Sequence, residues 1–257
     1  MWFRHLGGMA LRWLLARHGY VMIKPAAKYG IDPFVDIRTL GNQWNDSVDV
    51  VFDVGANIGQ TARRSMEHFP EACIFGFEPH PQTFASLVAS IGSRPNFRGV
   101  NLALGSAAGQ VELIEYQAGS SLSSLVPNSQ SAVRFKNDPY SKEAGCISVQ
   151  CTTLDDFCRE NSIEKIDVLK IDTEGFELAV LQGGKAMFAK HAIKFVYVEF
   201  NDLQSKEGAF GGALVPIDDF LRPLGFRFVT TYCDAICAQD EIFCISNALF
   251  ALPPMSR

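Results

Sequence analysis

Val50-Val51-Phe52-Asp53-Val54-Gly55-Ala56-Asn57-Ile58-Gly59 sets an acid, two glycines and an amide at the end of an apolar run. Nineteen residues after Gly59, a second apolar run, Cys73–Phe77, closes on Glu78. This is chemistry for holding a nucleoside. A glycine turn lets the backbone approach a ligand closely, and a carboxylate after the next strand takes the two ribose hydroxyls.

The glycine pattern bears on which nucleoside. A dinucleotide turn reads Gly-x-Gly-x-x-Gly, because helix-end amides must meet a pyrophosphate. Here the turn reads Asp-x-Gly-x-Asn-x-Gly from Asp53 to Gly59. A carboxylate at its head repels phosphate and suits a cationic ligand. S-adenosyl-L-methionine carries a sulfonium, an ammonium and a carboxylate, and is the expected cofactor. Asp53, Gly55, Asn57, Gly59 and Glu78 are the residues expected to meet it.

Other strand ends supply groups for a reaction. In Asp167-Val168-Leu169-Lys170-Ile171-Asp172-Thr173-Glu174-Gly175, Lys170 and Asp172 share one face by the period of two. Charges in an apolar strand must pair with each other, with Glu199, or with a ligand. A hydroxyl needs a base to attack a sulfonium methyl. Asp172 is the first candidate, Glu199 the second and His80 a third, although a histidine after a strand also suits a helix cap. Lys170 reads either as part of the site or as an internal ion pair. Asp172, Glu199 and Asn201 also offer oxygen ligands for a divalent metal, which the chemistry does not require.

Alternating elements must position these groups. Strands are expected at Val48–Val54, Cys73–Phe77, Phe97–Leu104, Ile166–Asp172 and Ile193–Phe200. Helices are expected at Asn57–His68, Pro81–Gly92, Leu154–Asn161, Glu174–Gln182 and Pro216–Arg222. Gln110–Tyr116 and Ile147–Thr153 read as extra strands around a polar stretch, 118–145, of the kind that forms binding loops. Phe226–Tyr232 and Ile242–Phe250, joined by Cys233–Glu241, are too close in sequence to pair in parallel. A doubly wound parallel sheet ending in an antiparallel strand is a methyltransferase plan, and dinucleotide domains normally lack that strand.

Residues 1–45 read as an N-terminal helical extension ending in a loop with Gly30, Pro33, Gly41 and Asn42, and 46–257 as one catalytic domain. Leu6, Met9, Ala10, Trp13 and Leu14 form one apolar stripe among Arg4, Arg12 and Arg17. That segment suits packing on the domain or in a homodimer, or a peripheral position on the inner membrane surface. Its apolar run is too short to span a bilayer. The net charge of −5 and the absence of a basic block argue against a nucleic-acid partner. Seven cysteines without a Cys-x-x-Cys pair point to reduced thiols and a cytoplasmic setting. Cys233 and Cys237 lack the second ligand pair of a zinc site.

Taken in order, Asp53-Val-Gly-Ala-Asn-Ile-Gly59, Phe77-Glu-Pro79, Asn101-Leu-Ala-Leu-Gly105, Ser120-Ser-Leu122, Thr152-Thr-Leu-Asp155, Leu169-Lys-Ile-Asp-Thr-Glu-Gly175 with Glu177, and Val198-Glu199 resemble the FkbM family of S-adenosylmethionine-dependent methyltransferases. The resemblance runs over residues 48–202. It implies a class I Rossmann-like fold and O-methylation of a hydroxyl on a sugar, a glycan or a related natural product. It also implies cofactor contacts at Asp53, Gly55, Asn57, Gly59 and Glu78, with Asn101 near the adenine. Two rival readings use the same residues: a nicotinamide-dependent oxidoreductase, and a non-catalytic module that binds S-adenosylmethionine. The absent third glycine weighs against the first, and Asp172 with Glu199 against the second.

Overall fold

The computed structural model describes residues 29–116, 143–203, 212–238 and 242–254. The amphipathic segment at 1–23 and nearly all of the stretch 118–145 lie outside them. The first half of the described chain runs α1 (Pro33–Trp44), β1 (Val50–Val54), α2 (Gln60–His68), β2 (Cys73–Phe77), α3 (Pro81–Ile91), β3 (Phe97–Val100), β4 (Ala103–Leu104) and β5 (Gly109–Tyr116). The second half runs β6 (Glu143–Thr152), α4 (Leu154–Glu160), β7 (Ile166–Ile171), α5 (Glu177–Gln182), α6 (Lys185–Ala189), β8 (Ile193–Phe200), α7 (Leu214–Leu221), a 3-10 turn, β9 (Arg227–Ala238) and β10 (Ile242–Ala251).

The main sheet has strand order β3-β2-β1-β7-β8-β10-β9. β1 pairs in parallel with β2 and β7, and β7 pairs in parallel with β8. All six residues of β7 are buried, as a strand covered on both faces requires. β10 runs antiparallel to both β8 and β9 and sits between them. This is the class I methyltransferase arrangement. The terminal pair is longer than expected: β9 continues through Cys233 to Ala238, and the register shifts at Ile245/Ser246 and Leu249/Phe250 absorb its twist.

Four expectations change. Residues 33–44, expected within a loop, form a helix. Asp32 caps it by accepting from the Phe34 and Val35 amides at 2.9 and 3.2 Å, Pro33 fills the first turn, and Asn45 ends it in the left-handed region. The first βα helix begins at Gln60 rather than Asn57, because Asn57 (φ 49°) and Gly59 (φ 88°) hold the turn open. The strand expected over Phe97–Leu104 splits after Val100. Its second part, β4, leaves the main sheet and pairs with β6 in a small sheet of order β4-β6-β5. α5 starts at Glu177, three residues later than expected, because a clamp at the site holds the preceding turn.

Two apolar layers fix the strands. On one side Phe157 of α4 packs edge-on to Phe77 at 4.8 Å, Phe52 at 5.8 Å and Phe75 at 5.9 Å. On the other, Phe34 and Ile37 of α1 join Val51, Ile74, Val168 and Tyr197. Each layer holds β1 and its neighbours in register, so the strand ends, and the polar groups on them, are set by the core. Phe157→Ala removes the ring that three strand phenylalanines share. It is expected to cost about 3–5 kcal/mol, read by chemical denaturation. A loss under about 1 kcal/mol would show that this cluster does not hold the sheet.

Candidate active site

The strand order reverses between β1 and β7, since the chain winds outward to β2 from one and to β8 from the other. In open α/β sheets that switch point, at the carboxyl ends, is where a crevice forms. A cavity of about 330 Å3 lies there. Its wall includes Gly55, Asn57, Phe77, Glu78, Leu102, Ala103, Leu104, Leu113, Lys170, Asp172, Thr173, Glu174 and Glu199. β4 and β5 of the small sheet supply part of the apolar side, which is the consequence of the split after Val100.

The turn after β1 is tied at both flanks. The Gly55 and Ala56 amides donate to the Phe77 carbonyl at 3.0 and 2.9 Å, and the Asp172 amide donates to the Val54 carbonyl at 3.0 Å. Gly55 has φ +78°, and a Cβ there would lie 1.7 Å from the Asp172 carbonyl oxygen. Only glycine permits this approach of the β1 turn to the β7 end.

Glu78 is aimed by two backbone amides. The Asn57 amide donates to Oε2 at 3.0 Å and the His80 amide to Oε1 at 2.9 Å. Burial raises its pKa, and those two amides oppose the rise. Asn101 lies off the wall. Its side-chain amide donates to the Glu78 and Pro79 carbonyls at 2.7 and 3.0 Å, so it holds the turn that carries Glu78. Gly59 is also off the wall, facing Leu87 and Ile91 of α3. His80 caps α3, with Nδ1 accepting from the Thr83 amide at 3.3 Å and Nε2 against Glu115 at 2.7 Å.

Asp53 sits beneath the wall, fully buried. Neither of its oxygens takes an aligned hydrogen bond, but Lys170 Nζ is 3.1 Å from Oδ1. The same ammonium lies 3.2 Å from Asp172 and donates to the Gly55 carbonyl at 3.3 Å. Burial works against the charge on Lys170, yet Asp172 and Asp53 outweigh it and hold the pKa above the usual value. For Asp53, burial raises the pKa and Lys170 pulls it back. Lys170 is therefore both things the sequence allowed, an internal ion pair and a cavity wall.

Glu199 ends β8 beside Asp172. Burial and the neighbouring Asp172, Glu174 and Glu177 carboxylates push its pKa well up, and its carboxyl is hydrogen-bonded to Asp172. Asp172, Glu174 and Glu199 bring carboxylate oxygens within 4.8 Å of one another. The metal reading expected Asn201 as the third ligand, but Glu174 stands in that place. The Asn201 backbone N–H donates to the Gly212 carbonyl at 2.8 Å, while its side-chain Oδ1 is buried without a donor.

Glu177 has a role that its motif position alone did not disclose. It is 1% exposed. Its Oε1 accepts from the Thr173 amide at 2.9 Å, the Thr173 hydroxyl at 3.0 Å and the Gly175 amide at 3.0 Å. This clamp forms the turn that puts Glu174 at φ 55° and Gly175 at φ 105°, and it delays α5 to Glu177. A non-glycine residue in the left-handed region persists only where surroundings impose it. The available signal was an acid two residues after Gly175, the glycine in the turn that follows β7.

The cavity fits S-adenosylmethionine on its own residues. A fixed carboxylate stands where a ribose edge needs acceptors, and a glycine cradle admits the ligand. The wall carries four carboxylates and one lysine already engaged by two acids. A nicotinamide pyrophosphate would find no free cation on this wall.

A family model described as the methyltransferase FkbM domain matches residues 53–228. The chain is 29% identical over 164 residues to the 2-O-methyltransferase NoeI of Sinorhizobium fredii, covering 62% of this chain and 66% of that protein. It is 29% identical over 153 residues to the hexuronic acid methyltransferase AglP of Haloferax volcanii, covering 60% and 56%. It is 29% identical over 212 residues to the 31-O-demethyl-FK506 methyltransferase FkbM of Streptomyces tacrolimicus, covering 76% and 78%. NoeI and AglP therefore each have a third or more of their length outside the shared part.

Two outcomes are expected. Glu177→Ala strips three donors of their partner and should cost about 3 kcal/mol, whereas Glu177→Gln keeps an oxygen there and should cost less than half of that by the same denaturation assay. Equal losses would show that the clamp is not what matters. Glu199 has a folded pKa above its usual 4.5, so its contribution is complete at low pH and is lost as pH rises through the raised value. Glu199→Gln removes that dependence. Relative to the native chain, the variant should gain stability between pH 5 and pH 8; a relative loss would mean that Glu199 is ionised and paired.

Proposed function

The chain belongs to the FkbM methyltransferase domain family, and from this we propose that it transfers the methyl group of S-adenosyl-L-methionine to a hydroxyl of a sugar, glycan or related natural product. One observation carries the reading most. Glu78 is fixed by two amides on the wall of a cavity whose charges are four carboxylates and one lysine. That is an environment for a sulfonium and an ammonium, not for a pyrophosphate. NoeI, AglP and FkbM, by their names, methylate a 2-O position, a hexuronic acid and a demethylated FK506. Hydroxyl-bearing acceptors are the class proposed here.

The cofactor, when bound, supplies a methyl group on a positively charged sulfur, and its departure leaves a neutral thioether. The protein's share is alignment and a place for the proton. Glu78 would hold the ribose hydroxyls, and Leu102, Leu104 and Leu113 would give the adenine an apolar wall. Asp172 would take the proton of an acceptor hydroxyl placed at this end of the cavity. Lys170 at 3.2 Å and the Glu199 carboxyl hold Asp172 in place. We assign no metal to the step, because Lys170 already counters Asp172 at 3.2 Å; chelation should leave transfer intact.

S-adenosylhomocysteine should raise the melting temperature, since a ligand that binds only the folded state stabilises it, and NADH should not. Stabilisation by NADH alone would contradict the proposal. Glu78→Ala should weaken S-adenosylhomocysteine binding by about 10- to 100-fold, as charge-assisted hydrogen bonds are lost. Asp172→Asn should lower turnover by about 100-fold or more while leaving calorimetric affinity for S-adenosylhomocysteine within a few-fold. Full activity in that variant would move the base elsewhere.

A further inference from the structure

His80 has no part in the chemistry proposed above, yet it is 7% exposed and both its ring nitrogens are engaged. Nδ1 accepts from the Thr83 amide at 3.3 Å and lies 3.2 Å from the Thr83 hydroxyl. An accepting Nδ1 leaves the ring hydrogen on Nε2, which meets Glu115 Oε1 at 2.7 Å. The backbone of the same residue gives its N–H to Glu78 Oε1 at 2.9 Å. One residue therefore joins the Glu78 turn, the first turn of α3 and the end of β5. Capping the helix needs only the Nδ1 contact, so the Glu115 contact calls for another reason.

The surroundings supply one. Glu78, Pro79 and Thr83 line the cavity on the cofactor side, and Leu113 lines it from the small sheet. The His80–Glu115 pair stands behind that wall and ties the two parts together. β5 is shaped for the contact. Leu113 and Glu115 share one strand face by the period of two, so the residue at the cavity and the residue at His80 are neighbours on it. Across the ladder Glu115 faces Gly145, where a Cβ would stand 3.3 Å from Glu115 Oε2. The register shifts between Glu115 and Tyr116, and irregularities of this kind re-aim a side chain. The His80 side chain is 9% exposed and that of Glu115 27%. A short hydrogen bond to a carboxylate, shielded to this degree, is stronger than an exposed ion pair.

We propose that Glu115 is a positioning residue for the cofactor: through the His80 ring it steadies the 78–83 turn, and with it the Glu78 carboxylate, so that the small sheet and the nucleoside end of the cavity hold each other in place. The inference rests on the methyltransferase reading and adds to it a residue that acts on the cofactor from behind the wall.

The test titrates S-adenosylhomocysteine by calorimetry into the full native chain, Glu115→Ala, Glu115→Gln, His80→Phe and the double variant Glu115→Ala with His80→Phe. Glu115→Ala should weaken binding about 10-fold. Glu115→Gln keeps an acceptor oxygen for the Nε2 hydrogen and should stay within about 3-fold of the native chain. The double variant should bind as His80→Phe does, because Glu115 acts only through that ring. Native affinity in Glu115→Ala overturns the proposal. Equal losses in the Ala and Gln variants also overturn it, since they would mark an effect of charge at a distance, and so does a double variant whose loss is the product of the single ones. If His80→Phe does not fold, the contrast between Ala and Gln at position 115 decides alone. A native chain that fails to bind S-adenosylhomocysteine strikes the methyltransferase reading, whereas binding that is indifferent to Glu115 strikes only this inference.

Discussion

One ammonium between two carboxylates organises this molecule. Lys170, at the end of β7, stands 3.1 Å from Asp53 on β1 and 3.2 Å from Asp172 just past its own strand. Asp53 is wholly buried and has no aligned hydrogen bond, so this lysine is its chief compensation. Taking such charges out of water costs several kcal/mol per ion, and the arrangement is tolerable only while the partners stay in contact. Contact in turn requires β1 and β7 to lie side by side in register, which they do, with Asp53 opposite Lys170. The ion triad thus links the depth of the sheet to the mouth of the cavity.

Around that triad the acids divide their labour. Asp53 anchors Lys170 from below. Asp172 reaches the cavity with one side held. Glu199, buried and crowded by neighbouring carboxylates, has its pKa pushed well up and is hydrogen-bonded to Asp172. Glu177 commits one oxygen to three donors of the 172–175 turn. Glu78, on the far side of the glycine turn, is fixed by amides alone. Acids therefore recur around one lysine without being interchangeable, because each is oriented by a different set of neighbours. The surplus negative charge is what a cationic cofactor can use.

The parts of this arrangement that local chemistry dictates were legible in the residues. The acid–glycine turn, Glu78 after β2, Lys170 and Asp172 on one strand face, and the antiparallel terminal pair all come from spacing and period. The parts set by tertiary packing were not. Asp53 was expected on the wall, but paired across the strands with Lys170 it is drawn beneath it. Gly41 and Asn42 suggested a loop, while Asp32 and Pro33 had already started a helix whose apolar face is held by the sheet. The break after Val100 depends on where β6 lies, which no local pattern states. Asn101 was placed near the adenine by resemblance, and its side-chain amide secures the turn that carries Glu78, a contact no local pattern states. Glu177 looked like an ordinary helix residue because its partners lie in the backbone of the preceding turn.

The most direct measurement is the stability of Lys170→Met as a function of pH. Methionine fills similar volume without charge, leaving Asp53 buried without its counter-ion. The variant should lose about 3–5 kcal/mol near neutral pH, and the loss should shrink in acid, because a carboxyl whose folded pKa is raised is stable in its protonated form at low pH and becomes costly as pH rises. Wild-type stability at both ends of the range would contradict the account, since it would show that the two acids do not depend on the lysine between them.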